Sequence, residues 1–363
     1  MKLIDIVAGA RPNFMKIAPI IRAMKRRKLA GGPLEYRLVH TGQHYDARMS
    51  GDFFMQLGIP EPDVNLEVGP GTQAEQTAAI MIRYEKLLLK QRSDLCLVVG
   101  DVTSTMACAI AAQKLRIPVA HVEAGIRSGD WTMPEEINRM VTDSITNHFF
   151  TTSEAANQNL RKSGVPEERI HFVGNTMIDT LLANRERLKP PSFWEEKNLR
   201  ENGYFVLTLH RPANVDTVDG LQRLLIAIGN ATRGLPVIFP VHPRTAKALH
   251  EVVEVPSNIL LVDPQPYLEF NYMVKHAKAV LTDSGGITEE TTVMGTPCIT
   301  LRDTTERPET VTVGTNELIG TDPAAIQPAL DKLFSGAWKT GSLPDLWDGH
   351  TAERIVTILE TVL

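Results

Sequence analysis

The chain is poor in cysteine, and no apolar run is long enough to matter to a membrane. Cys96, Cys108 and Cys298 are its only cysteines, each set among apolar residues and none in a CxxC spacing. They read as reduced core residues of a cytoplasmic protein rather than as a disulfide framework. No apolar stretch approaches the ~18 residues that span a bilayer, so no membrane partner is expected. The opening MKLIDIVAGARP is interrupted at Asp5 and closed by Arg11. It is too short and too broken for a signal peptide and reads as a first core strand. The balance of 38 basic against 43 acidic residues, a formal charge of −5, supplies no bulk attraction to nucleic acid. Any phosphate binding must be local.

Motifs are missing too, and each absence removes a class of chemistry. HExxH and paired CxxC do not occur, and Gly42 between His40 and His44 argues against one helical face carrying both, so no metal is expected. There is no GxxxxGK[ST] phosphate loop and no GxSxG elbow. Gly-Ala-Arg-Pro stands after the first strand where a nicotinamide enzyme would carry GxGxxG. No cofactor is expected.

What is present is a repeated alternation. At 363 residues the chain is long enough for two domains. Short apolar runs alternate with longer amphipathic ones, the pattern of βαβ units and parallel sheets covered on both faces. One series predicts strands near 2–8, 35–40, 95–99, 117–122, 148–151 and 170–173, with helices near 15–28, 73–91, 104–115, 135–146 and 154–163. A second predicts strands near 204–209, 236–239, 259–262, 279–282 and 297–300. The stretch 183–202, charged and containing Pro190 and Pro191, marks the junction. The fold expected is α/β with two Rossmann-like domains, 1–175 and 176–350, a terminal helix 351–363 returning to the first, and an active site in the cleft between them.

Residues 279–290, AVLTDSGGITEE, join an apolar strand to a glycine loop and a helix start. Gly285 and Gly286 present no Cβ to block close approach, and a helix N-terminus directs unpaired N–H groups and a positive dipole end into such a loop. Ser284 adds a hydroxyl. Glu290, a turn further in, is placed to accept from a ribose hydroxyl. The combination suits a nucleoside diphosphate; the plainer alternative is a strand-turn-helix joint.

Ligands of open α/β sheets sit beyond the carboxyl ends of the strands, and the polar residues there are numerous. Arg11 and Lys16 follow the first strand, Asp101 follows LCLVVG, and Glu123 follows IPVAHV. In the second half His210 and Arg211 follow FVLTL, His242 and Arg244 follow VIFPV, and Asp283 and Ser284 follow AVLT. Each has a duller account. Asp101 could cap the helix near Ser104. Glu123 could pair with Arg127. Glu135 and Glu136 could be ordinary first-turn acids, with Arg139 paired to Glu135 at i,i+4. His210 could be a satisfied strand-end histidine.

GARPNFMK (9–16), HTGQHYD (40–46), GDVTST (100–105), HVEAGIR (121–127), MPEEINR (133–139), LHRPANVD (209–216), DPQPYLEF (263–270), DSGGITEE (283–290) and RDTTERPE (302–309) together resemble the non-hydrolysing UDP-N-acetylglucosamine 2-epimerases over nearly the whole chain. Asn13-Phe14 departs from the Glu-Ala that many members carry after Arg-Pro. The resemblance implies a glycosyltransferase-B-like fold and a homodimer. It implies UDP contacts from Arg11, Gln265, Phe270, Ser284, Gly285, Gly286, Glu290 and Arg307, and Lys16, Asp101, Glu123, Glu135, Arg139 and His210 around the sugar and the breaking bond. Gln43 and His44 match a region that in bacterial members helps hold a second UDP-N-acetylglucosamine as activator, and His242 is placed with them as an allosteric candidate.

The reaction so implied is difficult, because the C2 proton of N-acetylglucosamine is not next to a carbonyl. Elimination solves this. A base removes the C2 proton as the C1–O bond to UDP breaks, giving a 2-acetamidoglucal, and UDP re-adds at C1 as a proton returns to the other face. Arg11, Lys16, Arg307 and the glycine loop can stabilise the departing diphosphate, and Asp101, Glu123 and Glu135 can move protons. The rival is a 2-epimerase of UDP-2,3-diacetamido-2,3-dideoxyglucuronate, which shares most of these motifs. A glycosyltransferase of the same fold would need no set of acids around C2.

Overall fold

The computed structural model describes residues 1–42, 56–241 and 243–363. The chain forms two compact units, Met1–Ala183 with Asp345–Leu363, and Asn184–Pro344.

Among the described residues the first unit holds a parallel sheet of β1 (Lys2–Ala8), β2 (Leu34–His40), β3 (Val64–Asn65), β4 (Leu95–Val99), β5 (Val119–Val122), β6 (His148–Thr151) and β7 (Ile170–Phe172), in the order β3-β2-β1-β4-β5-β6-β7. The apolar runs become strands because both faces are covered: all five residues of β4, LCLVV, are buried. Asp5, which breaks the first run, is 0% exposed. It is tolerated because it faces Arg37 across the β1–β2 register. Arg37 Nε and Nη2 donate to its two carboxylate oxygens at 2.7 and 2.8 Å, and the Tyr84 hydroxyl donates at 2.9 Å.

The second unit repeats the plan with β8 (Phe205–Thr208), β9 (Val237–Pro240), β10 (Ile259–Val262), β11 (Ala279–Thr282), β12 (Cys298–Thr300) and β13 (Asn316–Leu318), ordered β10-β9-β8-β11-β12-β13. In each sheet the order reverses beside the first strand, between β1 and β4 and between β8 and β11. Those are the topological switch points where open sheets leave a crevice at their carboxyl ends. No helix among the described residues is long and apolar enough to cross a membrane. The three cysteines are buried and unpaired, and burial pushes the Cys298 thiol up to about 12.

Differences from the expected elements are local and have causes. β3 and β13 are two and three residues long, too short to register as apolar runs. The first helix begins at Arg11 rather than near 15. Pro12 fits its first turn, and Asn13 Oδ1 accepts from the N–H groups of Gly9 and Ala10, both at 3.0 Å, while its amide donates to the Val99 carbonyl at 3.1 Å. Asn13 therefore ties the end of β1 to that of β4. Helix Thr176–Asn184, assigned from sequence to the second domain, packs in the first unit up to Ala183, its Thr180 hydroxyl donating to the Met15 carbonyl at 2.6 Å. The terminal helix Thr351–Val362 is capped by Asp179, which accepts from the N–H groups of Thr351 and Ala352 at 3.1 and 2.7 Å. It lies along helix Arg11–Leu29, where Arg27 donates to Thr357 at 2.7 Å and Arg26 pairs with Glu353.

Candidate active site

In the first unit Lys16, Asp101 and Glu123, beyond β1, β4 and β5, are held in charged pairs. Lys16, one turn into the helix after β1, donates to Glu123 Oε2 at 2.6 Å; the two side chains are 11% and 3% exposed. A Cβ on Gly100 would come within 3.1 Å of Lys16 Nζ, so the glycine at the end of β4 leaves room for the pair. Glu123 itself takes a left-handed backbone, φ 71°, costing about 1–3 kcal/mol in a non-glycine residue. The N–H groups of Glu123 and Ala124, donating to the Phe150 carbonyl at 2.9 and 3.1 Å, hold it there.

Asp101 stands beside this pair. Arg139 reaches its Oδ2 with Nε at 3.0 Å and Nη2 at 2.6 Å, and the Asn138 amide donates to its carbonyl at 2.8 Å. Burial pushes the Asp101 carboxyl up, but the Arg139 and Lys16 charges outweigh both burial and the Glu123 charge and hold it below the usual carboxylate range. It is a carboxylate at neutral pH, with 29% of its side chain open to solvent. Helix capping does not account for it, since the helix Thr103–Lys114 has Val102 at its N-cap.

Helix Pro134–Ile145 supplies the basic partner by turning a polar face inward. Glu136, Asn138, Arg139, Thr142 and Asp143 are buried, while Ile137 and Met140 face outward, 46% and 37% exposed. Arg139 Nη1 donates to Glu136 Oε2 at 2.7 Å, an i,i+3 pair, rather than to Glu135. Glu136 also accepts from the Ser128 and Gly129 N–H groups at 3.0 and 3.1 Å. Those bonds and Arg139 overcome the opposing effect of burial and hold its carboxyl low. Glu135 is half-buried at the helix start. Glu123 is paired with Lys16 instead of Arg127, which reaches Asp143 at 2.7 Å.

The second unit arranges its switch point around a carboxylate that faces inward. Asp283, 0% exposed, accepts from the His210 N–H at 3.0 Å, the Arg211 N–H at 2.9 Å and the Asn214 amide at 3.1 Å. His210 Nδ1 lies 2.9 Å from its Oδ1. Burial would raise the Asp283 carboxyl, but the His210 hydrogen bond and charge, helped by the two backbone donors, hold it low. Asp283 thereby joins β8 to β11 at the point where Ser284 begins the glycine loop. Ser284 is the N-cap of helix Gly285–Met294, and its N–H donates to Thr282 Oγ1 at 2.9 Å. A Cβ on Gly286 would meet nothing within 4 Å, whereas one on Gly285 would lie 2.8 Å from Glu306 Oε1. Glu306 is paired with Arg302 at 2.7 Å and Arg211 at 3.5 Å, so this loop is already lined by charge.

Of the other sequence candidates, Glu290 lies on the helix that follows that loop and Arg307 pairs with that helix. Glu290, 5% exposed, accepts from the Asn271 amide at 3.3 Å. Phe270 is partly buried in the helix Tyr267–His276, and the Gln265 amide donates to the Asp263 carbonyl at 2.8 Å in the turn before it. Arg307 pairs through Nε with the buried Glu289 at 2.6 Å. Arg11 opens the first helix. Gln43, His44 and His242 lie outside the described residues. Sequence reasoning left out Asp283 as a site residue and gave Glu136 and Glu306 no partner. Asp283 carried a signal, as the acid ending the strand before the glycines; for the pairings of Glu136 and Glu306 there was none.

Two parallel-sheet Rossmann-like units define a glycosyltransferase-B-like α/β protein. The family description UDP-N-acetylglucosamine 2-epimerase matches residues 27–360. The chain is 40% identical to UDP-N-acetylglucosamine 2-epimerase of Methanocaldococcus jannaschii over 99% of each chain. It is 38% identical to UDP-2,3-diacetamido-2,3-dideoxy-D-glucuronate 2-epimerase of Pseudomonas aeruginosa over 88% of each. A crystal structure of the Methanocaldococcus jannaschii enzyme in complex with UDP-GlcNAc and UDP superposes with a TM-score of 0.89, covering 99% of this chain and 100% of that one. The chain belongs to the UDP-N-acetylglucosamine 2-epimerase family, a family of isomerases.

Proposed function

We propose that the protein interconverts UDP-N-acetylglucosamine and UDP-N-acetylmannosamine by eliminating UDP to a 2-acetamidoglucal and adding it back. The observation that carries this reading is the set of paired acids at the first switch point, Asp101 with Arg139 and Glu123 with Lys16, in a family member whose second unit offers a glycine loop at a helix N-terminus. The diphosphate takes Ser284, Gly285 and Gly286, with Arg11 and Arg307 near it; Glu290 takes the ribose; Gln265 and Phe270 flank the uracil.

Asp101 and Glu123 move the C2 proton, with Glu135 as the third acid. An ionised Asp101 suits the role of base. Lys16 and His210 face the charge that grows on the leaving diphosphate as the C1–O bond breaks, and preorganised donors of this kind act strongly in a water-poor site. One C–H bond and one C–O bond break and the C1–C2 double bond forms, so no redox partner is needed.

The test is proton NMR of the purified protein with UDP-N-acetylglucosamine in D₂O. UDP-N-acetylmannosamine carrying deuterium at C2 is the expected product. The absence of both product and exchange would overturn this substrate assignment, and turnover of the diacetamido-glucuronate sugar instead would move the protein to its Pseudomonas aeruginosa relative's reaction.

A further inference from the structure

Beneath the two acid-bearing turns lies a side chain that the proposed chemistry does not use. His121, in β5, is 0% exposed. Its Nε2 lies 2.8 Å from the Gly100 carbonyl and its Nδ1 2.8 Å from Asp143 Oδ1, so the ring is held by an oxygen on each side. The second Asp143 oxygen takes the Gly125 N–H at 3.0 Å and Arg127 Nη1 at 2.7 Å. Gly100 immediately precedes Asp101, and Gly125 follows Glu123 by two residues. One buried pair thus holds the turn that carries Asp101 and the turn that carries Glu123.

Both turns need holding. Gly100, Glu123 and Gly125 all take positive φ, 65°, 71° and 77°, so neither turn rests in the extended or right-handed conformation that an unconstrained chain prefers. A Cβ on Gly125 would lie 2.4 Å from the Ala156 carbonyl, which fixes how closely that turn packs. Asp143 sits one helical turn beyond Arg139 on the same buried face of Pro134–Ile145, so a single helix reaches Asp101 through Arg139 and the Glu123 turn through Asp143.

We propose that His121 and Asp143 are positioning residues that set the Asp101 and Glu123 carboxylates relative to one another. The proposal rests on the epimerase reading for its consequence in rate, and on geometry alone for its consequence in structure. Misplacing a reacting group by about 1 Å can cost ~100-fold in rate, and that is the loss expected in kcat for Asp143→Asn and His121→Asn. KM for UDP-N-acetylglucosamine and the calorimetric affinity for UDP should stay within about threefold, since neither residue belongs to the nucleotide loop.

His121→Gln places an amide nitrogen near the position of Nε2 and can still donate to Gly100, whereas His121→Asn cannot reach it. At matched Tm the glutamine variant should therefore be several-fold more active than the asparagine variant. A merely structural role would lower Tm and leave no such split. Crystal structures of the variants should show the Glu123 turn displaced in Asp143→Asn and the Asp101 turn in His121→Asn. Wild-type kcat in both, or activity that follows Tm alone, would overturn the proposal. If Asp143→Asn does not fold, Asp143→Glu, which keeps the charge on a longer arm, is read the same way. An inactive wild-type protein would instead defeat the epimerase reading, and the crystallographic displacement would still decide the positioning.

Discussion

The two units solve one topological problem with opposite chemistry. Each reverses its strand order beside the first strand and opens a crevice there. At the first crevice the sequence places side-chain charges, and the fold neutralises each with another: Lys16 with Glu123, Asp101 and Glu136 with Arg139. At the second it buries Asp283, which accepts from the His210 and Arg211 N–H groups and from the Asn214 amide and lies 2.9 Å from His210 Nδ1, and it presents a glycine turn at a helix start. A parallel sheet therefore dictates where a site lies and leaves its character to a few strand-end residues. In the proposed reaction the acids that exchange protons belong to the first unit and the glycine turn that takes the diphosphate belongs to the second.

The sharpest way to break that division is to remove the acids. Asp101→Asn and Glu123→Gln should each lower kcat by about 10²–10⁴-fold, the range of acid–base groups, while UDP affinity by calorimetry stays within threefold. A large fall in UDP affinity would show that these acids help hold the nucleotide as well.

Arg139→Met comes next, because it strands Glu136, a carboxylate 3% exposed. Breaking one partner from a buried pair costs about 3–5 kcal/mol, measurable by urea unfolding, with activity lost alongside. Asp283→Asn should cost less, about 1–3 kcal/mol for the poorly replaced acceptor, and should raise KM more than it lowers kcat because it loosens His210 and the start of the glycine loop.

The pH dependence of stability has a fixed sign. Asp101, Glu136, Asp143 and Asp283 are all held below the ordinary carboxylate range in the folded protein. Their contributions are present above the unfolded value near pH 4 and are lost as pH falls through the folded values. Asp179 runs the other way. Burial raises its carboxyl against its hydrogen bonds to Thr351 and Ala352, so its ionisation costs stability as pH rises. Urea unfolding between pH 3 and pH 7 should show a shallower acid limb in Asp283→Asn and a steeper one in Asp179→Asn.

The smallest effect on the fold should come from Gly286→Ala, where a Cβ meets nothing within 4 Å and alanine is the better helix former. Its Tm should hold or rise slightly while UDP affinity falls, because the new methyl stands in the space proposed for the diphosphate. Gly285→Ala, meeting Glu306 at 2.8 Å, should lose some of both. Unchanged UDP affinity in Gly286→Ala would remove this loop from the nucleotide site.

Much of this was legible because parallel strands are buried on both faces and so appear as unbroken apolar runs. LCLVV, FVLT and AVLT each announced a strand, and the next polar residue announced a rim. The glycine loop was legible for a related reason, since only glycine permits backbone to come so near an anion. The short edge strands Val64–Asn65 and Asn316–Leu318 carried no such signal, because two or three residues make no period.

Partner choice was not legible at all. The sequence by itself determined the two α/β series, the rims that bear charge and the glycine turn, because those depend on hydrophobic period and local backbone permission. Only the tertiary structure decided that Lys16 meets Glu123, that Arg139 reaches back to Asp101, and that His121 and Asp143 join two turns. Each pair lies more than twenty residues apart in the chain. Which charges neutralise one another inside a protein is set by strand order and helix packing, and the linear sequence does not contain distance.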